Sequence, residues 1–147
     1  MSLQFYQVRT QHEKDALLDF YAAEKEKINR QDLQNIYVLQ EDDVIVAALK
    51  VEAVKHDNSW FMRNVLVAEQ SRGEGLSKHL IQQCLLVLND KPCFCLAYEY
   101  LAPLYQQCGF SEVDVDQTAD LYKRRYKRAQ KKAIAAPDKA VVLMTTY

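Results

Sequence analysis

Glycine and proline are scarce in this chain, with three of each among 147 residues. That scarcity excludes collagen-like repeats, low-complexity tracts and long flexible linkers, and it points to one domain spanning residues 1–147. The cysteines number only four (Cys84, Cys93, Cys95 and Cys108) and sit inside apolar segments, where thiols behave as small hydrophobes. A disulfide scaffold is therefore not expected. Cys93 and Cys95 form a C-x-C pair, but no second pair stands at zinc-like spacing, so no metal site is assigned.

Charge of one sign is also missing. Nineteen Lys and Arg against twenty Asp and Glu leave a net charge of -1, which gives no global attraction to nucleic acid or to an anionic membrane. No run approaches the roughly 20 apolar residues of a membrane helix, and the polar N-terminus lacks the apolar centre of a signal peptide. A cytoplasmic location and no membrane partner are expected. His12, His56 and His79 are scattered and pair with no nucleophile in sequence, so they receive no catalytic role.

What is present is a regular alternation of elements. "LQFYQVR" (3–9) alternates as a strand does, and residues 11–28 carry Leu17, Phe20, Tyr21 and Ile28 at helical spacing. "NIYVLQ" and "VIVAALKV" flank Glu41-Asp42-Asp43 as a hairpin, and Asp57-Asn58 marks a turn before "SWFMRNVLV". From Leu76 the apolar residues fall at 76, 80, 84, 87 and 88, one stripe of a helix ending near Asn89-Asp90. "PCFCLAY" reads as a buried strand, "LAPLYQQC" as a short helix closed by Gly109, and "FSEV" as a further strand. Residues 118–134 form a basic amphipathic helix with Tyr122, Tyr126, Ala129 and Ala133 on one face, stopped by Pro137. "AVVLMTTY" supplies a last strand. The pattern predicts a mixed α/β fold, its sheet flanked by helices.

Two of the three glycines stand in "SRGEGLS" (71–77), between a strand and a helix. The first amides of a helix lack intrahelical partners and carry the positive end of its dipole, so such a start can bind phosphate. Gly73 and Gly75 leave the amides uncovered, Arg72 adds a cationic donor, and the helix from Leu76 supplies the dipole. Neither a P-loop nor a dinucleotide fingerprint is spelled here, because the Gly-Lys-Ser/Thr ending and the third glycine are both absent. An ordinary strand-to-helix turn uses the same residues.

Together, "VLVAEQSRGEGLSKHL" and "LYQQCGF" (104–110) resemble the GNAT superfamily of acetyl-CoA-dependent N-acetyltransferases. The family loop, Q/R-x-x-G-x-G/A, fits Gln70 to Gly75 literally. Spacing from Val67 and to Leu80 selects Arg72-Gly73-Glu74-Gly75-Leu76-Ser77 instead, with Ser77 in place of the final Gly or Ala and Glu69 where proline is frequent. The resemblance implies a mostly antiparallel central sheet and a pyrophosphate held by Arg72, Gly73, Glu74, Gly75, Leu76 and Ser77. It also implies that backbone amides near Leu66 and Val67 hold the pantetheine arm and the thioester carbonyl. Tyr105 matches the family residue that protonates the leaving thiolate, and Tyr98 stands where the family often has a cofactor-contacting Asn. Acetyl-CoA is then the co-substrate, with no metal, and the acceptor is an amine-bearing small molecule or peptide.

No motif identifies a general base. Glu52 and Glu99 lie near strand ends, where a carboxylate can face a cleft, yet a solvated glutamate fits either position, and neither is assigned. The basic helix reads as a solvated cover, so no nucleic-acid partner is expected, and a homodimer through the last strand stays open. The alternative to an enzyme is a non-catalytic acyl-CoA-sensing or protein-interaction module of the same fold.

Overall fold

Turns in this glycine-poor chain are made largely by asparagine and aspartate. The computed structural model describes residues 2–146. Six non-glycine residues among these have positive φ: Lys25, Asn35, Asp42, Asp43, Asn58 and Asn64. Short polar side chains tolerate this left-handed region because they bond locally to the backbone. Asp42 (φ 48°) and Asp43 (φ 69°) join strands β2 (Ile36–Glu41) and β3 (Val44–Val54), the two positive φ values that a type I′ hairpin requires.

The remaining strands are β1 (Leu3–Gln7), β4 (Ser59–Val67), β5 (Cys93–Tyr98), β6 (Ser111–Glu112) and β7 (Val141–Thr145). The helices are α1 (Gln11–Ala23), α2 (Leu76–Val87), α3 (Ala102–Gln107) and α4 (Asp120–Ala135). The sheet order is β1-β2-β3-β4-β5-β7-β6, with antiparallel pairing at β1–β2, β2–β3, β5–β7 and β6–β7. This is the mostly antiparallel α/β architecture expected from the sequence. No helix among the described residues is long and apolar enough to cross a membrane.

The chain divides into two compact units. The first comprises the residues up to Glu52 together with Met62–Val87. Thr10 and Glu13 form a reciprocal capping box at the start of α1, which turns Leu17, Phe20 and Tyr21 onto Val38, Ile45 and Ala48. The expected helix to residue 28 is cut short. Lys25 adopts φ 60°, Lys25 N–H bonds Ala22 C=O (3.1 Å), and Glu26 N–H bonds Tyr21 C=O (2.9 Å). Those two bonds make a Schellman end with lysine where glycine is usual. In α2, Leu76, Leu80, Ile81 and Cys84 are buried, whereas Val87 is 54% exposed. Val87 is the last helical residue, and the buried position that ends the stripe is taken by Leu88.

The second unit comprises residues 53–61 and the chain from Leu88 onward. Its core centres on Tyr122, fully buried among Val54, Phe61 and Leu143, with its ring stacked on Phe94 at 4.3 Å. Such a ring pair contributes about 0.5–1.5 kcal/mol beyond the area it buries. The Tyr122 hydroxyl lies 2.6 Å from Ser59 Oγ, which donates to Asp57 Oδ2 at 2.8 Å. The serine's one proton is thereby committed to the carboxylate, so the phenol donates to the serine. On α4 the Tyr122, Tyr126, Ala129 and Ala133 face is the less exposed one, while Arg124, Lys127, Arg128, Lys131 and Lys132 are exposed. The strand expected at "FSEV" shortens to Ser111–Glu112, and that expected at the C-terminus is Val141–Thr145; Tyr147 lies outside the described residues.

Candidate functional site

The glycine loop grows out of a disturbed strand. Asn64, at φ 57° in the middle of β4, interrupts the extended backbone, and an αL residue inserted in a strand bends it and re-aims the groups that follow. Leu66 and Val67 come next and are only half-buried, although β4 is the fourth of seven strands. Ala68 N–H bonds Val46 C=O (2.8 Å), and a single 3₁₀ turn, Glu69–Ser71, delivers the chain to Arg72.

Arg72, Gly73, Glu74 and Gly75 are exposed, Leu76 is buried, and Ser77 is half-buried. His79 N–H bonds Gly75 C=O at 3.1 Å, which makes Gly75 the residue capping α2 and Leu76 and Ser77 its first two helical positions. Gly73 has φ +84° and Gly75 φ +77°, and a Cβ built on either meets no heavy atom within 4 Å. The protein itself does not crowd these glycines. Their role is conformational, and the space beside the helix start is open to a ligand. Exposed amides at a helix start, glycines without side chains and a cation one residue earlier suit a doubly charged phosphate ester.

The Arg72 side chain is partly engaged elsewhere. Its Nε donates to Val67 C=O (3.3 Å), and an Nη lies 3.8 Å from Glu24 Oε1. The same carboxylate oxygen accepts a bond from Glu69 N–H (3.0 Å), so the end of α1 ties down the entrance to the loop. Arg72 keeps 58% of its side-chain surface and Glu24 only 9%. Exposure leaves other guanidinium N–H groups of Arg72 accessible to a ligand. Sequence reasoning missed Glu24, because its partners are 45 and 48 residues away; it also missed Asn64, for which the one signal is that asparagine accepts αL geometry.

Tyr105 belongs to the second unit, on α3. Pro103 sits in the first turn of α3, where its missing N–H costs nothing. Tyr105 is 8% exposed, its ring meets Phe110 edge-on at 5.6 Å, and its carbonyl accepts from both Cys108 and Phe110 N–H. Gly109 makes that tight return at φ +102°. Burial pushes the phenol pKa up, and the nearby Cys95, Cys108 and Cys93 sulfurs add to the shift. The phenol is thus protonated at physiological pH, as an ordinary tyrosine is, and its O–H can donate.

The structure thus gathers Leu66, Val67 and Arg72–Ser77 on one strand-to-helix connection of the first unit, and it sets Tyr105 on a short helix of the second. Of the two unassigned glutamates, Glu52 lies 3.6 Å from Arg63 in an ion pair, whereas Glu99 is exposed in the 3₁₀ turn after β5. Tyr98 is 39% exposed and stacks on Tyr100 (5.6 Å, 5°).

Comparison with known proteins follows the same elements. The family model described as "Acetyltransferase (GNAT) domain" matches residues 32–112, slightly more than half of the chain and including both the glycine loop and Tyr105. No curated protein matches the sequence. Among solved structures, Escherichia coli ElaA superposes with a TM-score of 0.67 at 18% identity, over 99% of each chain. Rv2747 from Mycobacterium tuberculosis, solved in complex with CoA, gives 0.67 at 17% identity over 97% of each. N-acetylglutamate synthase from Neisseria gonorrhoeae, complexed with coenzyme A and N-acetyl-glutamate, gives 0.72 at 10% identity; the match covers 99% of this chain and 35% of that one. The chain therefore spans about a third of the synthase's length. At such identities the likeness to solved structures speaks for the fold, while the family model, matching more than half of the sequence, shows that the chain belongs to the GNAT acetyltransferase family.

Proposed function

We propose that the protein transfers an acetyl group from acetyl-CoA to a primary amine by direct attack within a ternary complex. The observation that carries this reading is the start of α2: two glycines at φ +84° and +77°, open space where their side chains would be, and an exposed Arg72 alongside. Backbone amides from Gly75 to Ser77 and the accessible part of Arg72 hold the pyrophosphate, and Ser77 adds a hydroxyl donor. Amides near Leu66 and Val67, re-aimed past Asn64, hold the pantetheine arm and polarise the thioester carbonyl.

Acetyl-CoA supplies an activated acyl carbon with a thiolate leaving group. The remaining chemistry is proton movement. An alkylamine with a pKa near 10.4 is mostly protonated at neutral pH, so it must lose a proton to water or to a base before attack. The leaving thiolate, with a pKa of about 8.5 by analogy with cysteine, departs faster when it is protonated as it forms. Tyr105, the residue that the family resemblance singles out, is assigned that proton transfer, its phenol being protonated at neutral pH.

CoA-bearing relatives of the same fold support the co-substrate assignment, and one of them carries an N-acetylated amino acid. The test is release of free thiol from acetyl-CoA in the presence of small amines, polyamines, amino acids and peptides. Saturable release with at least one amine class is expected. Tight CoA binding with no release for any class would replace the enzyme by a CoA-binding module.

A further inference from the structure

Glu99 lines an open cavity of about 470 Å³ in the second unit, formed with Tyr126, Gln130, Ala133 and Ile134 of α4 and the start of β7 at Val141. This volume falls within the range of small-molecule sites. Its lining is mixed, with Ala133, Ile134, Ala140 and Val141 beside Tyr126, Gln130 and Glu99, and Glu99 is the one charged residue among the described lining residues. The cations of α4 project elsewhere, with Arg124, Lys127, Arg128, Lys131 and Lys132 all exposed and none lining the cavity.

Large apolar side chains stand in solvent around this cavity. Ile134 is 82% exposed. Tyr98 pairs with the lining residue Val141 in the β5–β7 ladder and stacks on Tyr100, itself 68% exposed, although neither tyrosine lines the cavity. A carboxylate side chain beside apolar ones matches an organic cation: Glu99 accepts hydrogen bonds from an ammonium group, and Ile134 and Ala133 receive its hydrocarbon.

Position links the cavity to the chemistry. Glu99 begins the 3₁₀ turn that runs directly into α3, six residues before Tyr105, a span of roughly 10 Å at helical rise. Along β5 the residues alternate. Phe94 and Leu96 pack toward Tyr122 of α4, and Tyr98 shares their face, whereas Tyr105 is influenced by the sulfurs of Cys93 and Cys95 on the other.

We propose that this cavity binds the acceptor, and that the acceptor is a primary alkylammonium with an apolar chain whose charge is received by Glu99. That the bound cation loses a proton to water and is then acetylated as the neutral amine rests on the acetyltransferase reading; that the cavity takes an organic cation does not. The two are tested separately. Hexylamine, hexanol and hexanoate are titrated into the full chain at physiological salt, with the methyl resonances of Ala133, Ile134 and Ala140 as the readout. Hexylamine should shift these methyls saturably and bind about tenfold tighter than the other two, the scale of one charge-assisted hydrogen bond. Glu99→Gln should remove the preference, and Ala133→Trp, which fills the cavity, should abolish the shifts while the remaining spectrum shows a folded chain. Equal binding of hexanol or hexanoate, or a preference surviving in Glu99→Gln, would overturn the cation site.

Turnover with hexylamine as acceptor then tests its use. Glu99→Gln should raise KM for hexylamine about tenfold, leaving kcat within about twofold and acetyl-CoA affinity unchanged. An unchanged KM, or a fall confined to kcat, would refute recruitment by Glu99. Hexylamine binding without turnover for any amine would leave the cavity assignment standing and remove the acetyltransferase reading.

Discussion

Replacing Gly75 separates two roles that one glycine can play. At φ +77° an L-residue is strained, and because an added Cβ meets nothing within 4 Å, the free protein resists it by backbone conformation alone. That strain is worth about 1–2 kcal/mol. For a domain of this size it corresponds to a fall in Tm of about 2–8 °C in Gly75→Ala. Gly75→Asn should lose about half as much, since asparagine tolerates the left-handed region better. A ligand changes the balance, because the new methyl projects into the open space beside the first amides of α2. Acetyl-CoA affinity should therefore drop by about tenfold or more in Gly75→Ala and further in Gly75→Val, in excess of any thermal effect. Thermal unfolding by circular dichroism and calorimetric titration with acetyl-CoA measure the two roles on the same samples. An unaltered Tm in Gly75→Ala would refute the strain argument, and unaltered acetyl-CoA affinity in a folded Gly75→Val protein would rule out close backbone contact at this position.

Tyr105→Phe keeps the ring against Phe110 and removes only the proton, so kcat should fall by about 10²–10⁴ with acetyl-CoA affinity nearly constant, as steady-state and binding measurements would show; wild-type turnover would leave the residue a packing aromatic. Glu24→Ala strips the acceptor from Glu69 N–H and the counter-charge from Arg72, and should lower stability by about 1 kcal/mol in urea unfolding while hydrogen exchange quickens at residues 69–75. Burial raises the pKa of Tyr122 to about 12, so the neutral form's contribution is complete below pH 10 and is lost as pH climbs from 10 to 12. Urea unfolding across that window should show stability falling by up to about 1.4 kcal/mol per pH unit from this group, with a shallower slope in Tyr122→Phe. The exposed face of α4 should bind RNA or DNA no tighter than micromolar at physiological salt in a gel-shift titration. Sub-micromolar binding that disappears when Arg124, Arg125, Lys127 and Arg128 become Gln would reverse that assignment.

Much of the fold was legible because local chemistry and the tertiary answer agree. The Asp42-Asp43 hairpin, the α2 stripe and the Tyr122–Tyr126–Ala129–Ala133 face follow from turn residues and helical spacing, and packing confirms them. The end of α1 was hidden for a definite reason. Its left-handed stop falls on Lys25, a good helix former that gives no breaking signal. Glu24 was illegible on other grounds: its bond to Glu69 joins positions that only the folded chain brings together. The placement of Tyr105 was read from family resemblance, since nothing in "LYQQCGF" alone sets it apart from the other eight tyrosines.

Glycine usage itself carries the remaining argument. Where this chain turns through positive φ on asparagine, aspartate or lysine, the angles run from 48° to 69°, close to the left-handed well that side chains with a Cβ can occupy. Its three glycines stand at 77°, 84° and 102°, beyond that well. Glycine therefore appears in this sequence where a residue with a Cβ would be the more strained, and not wherever a turn is convenient. Two such positions, Gly73 and Gly75 with Glu74 between them, commit the segment to a path that asparagine or lysine would follow only with strain. The path ends at a helix start whose surroundings are open. A fold that needed only a strand-to-helix turn here could have used the asparagine and aspartate turns it employs elsewhere, as at Asn58 before β4. The geometry that disfavours them leaves open space beside the first amides of α2, an arrangement suited to a bound phosphate.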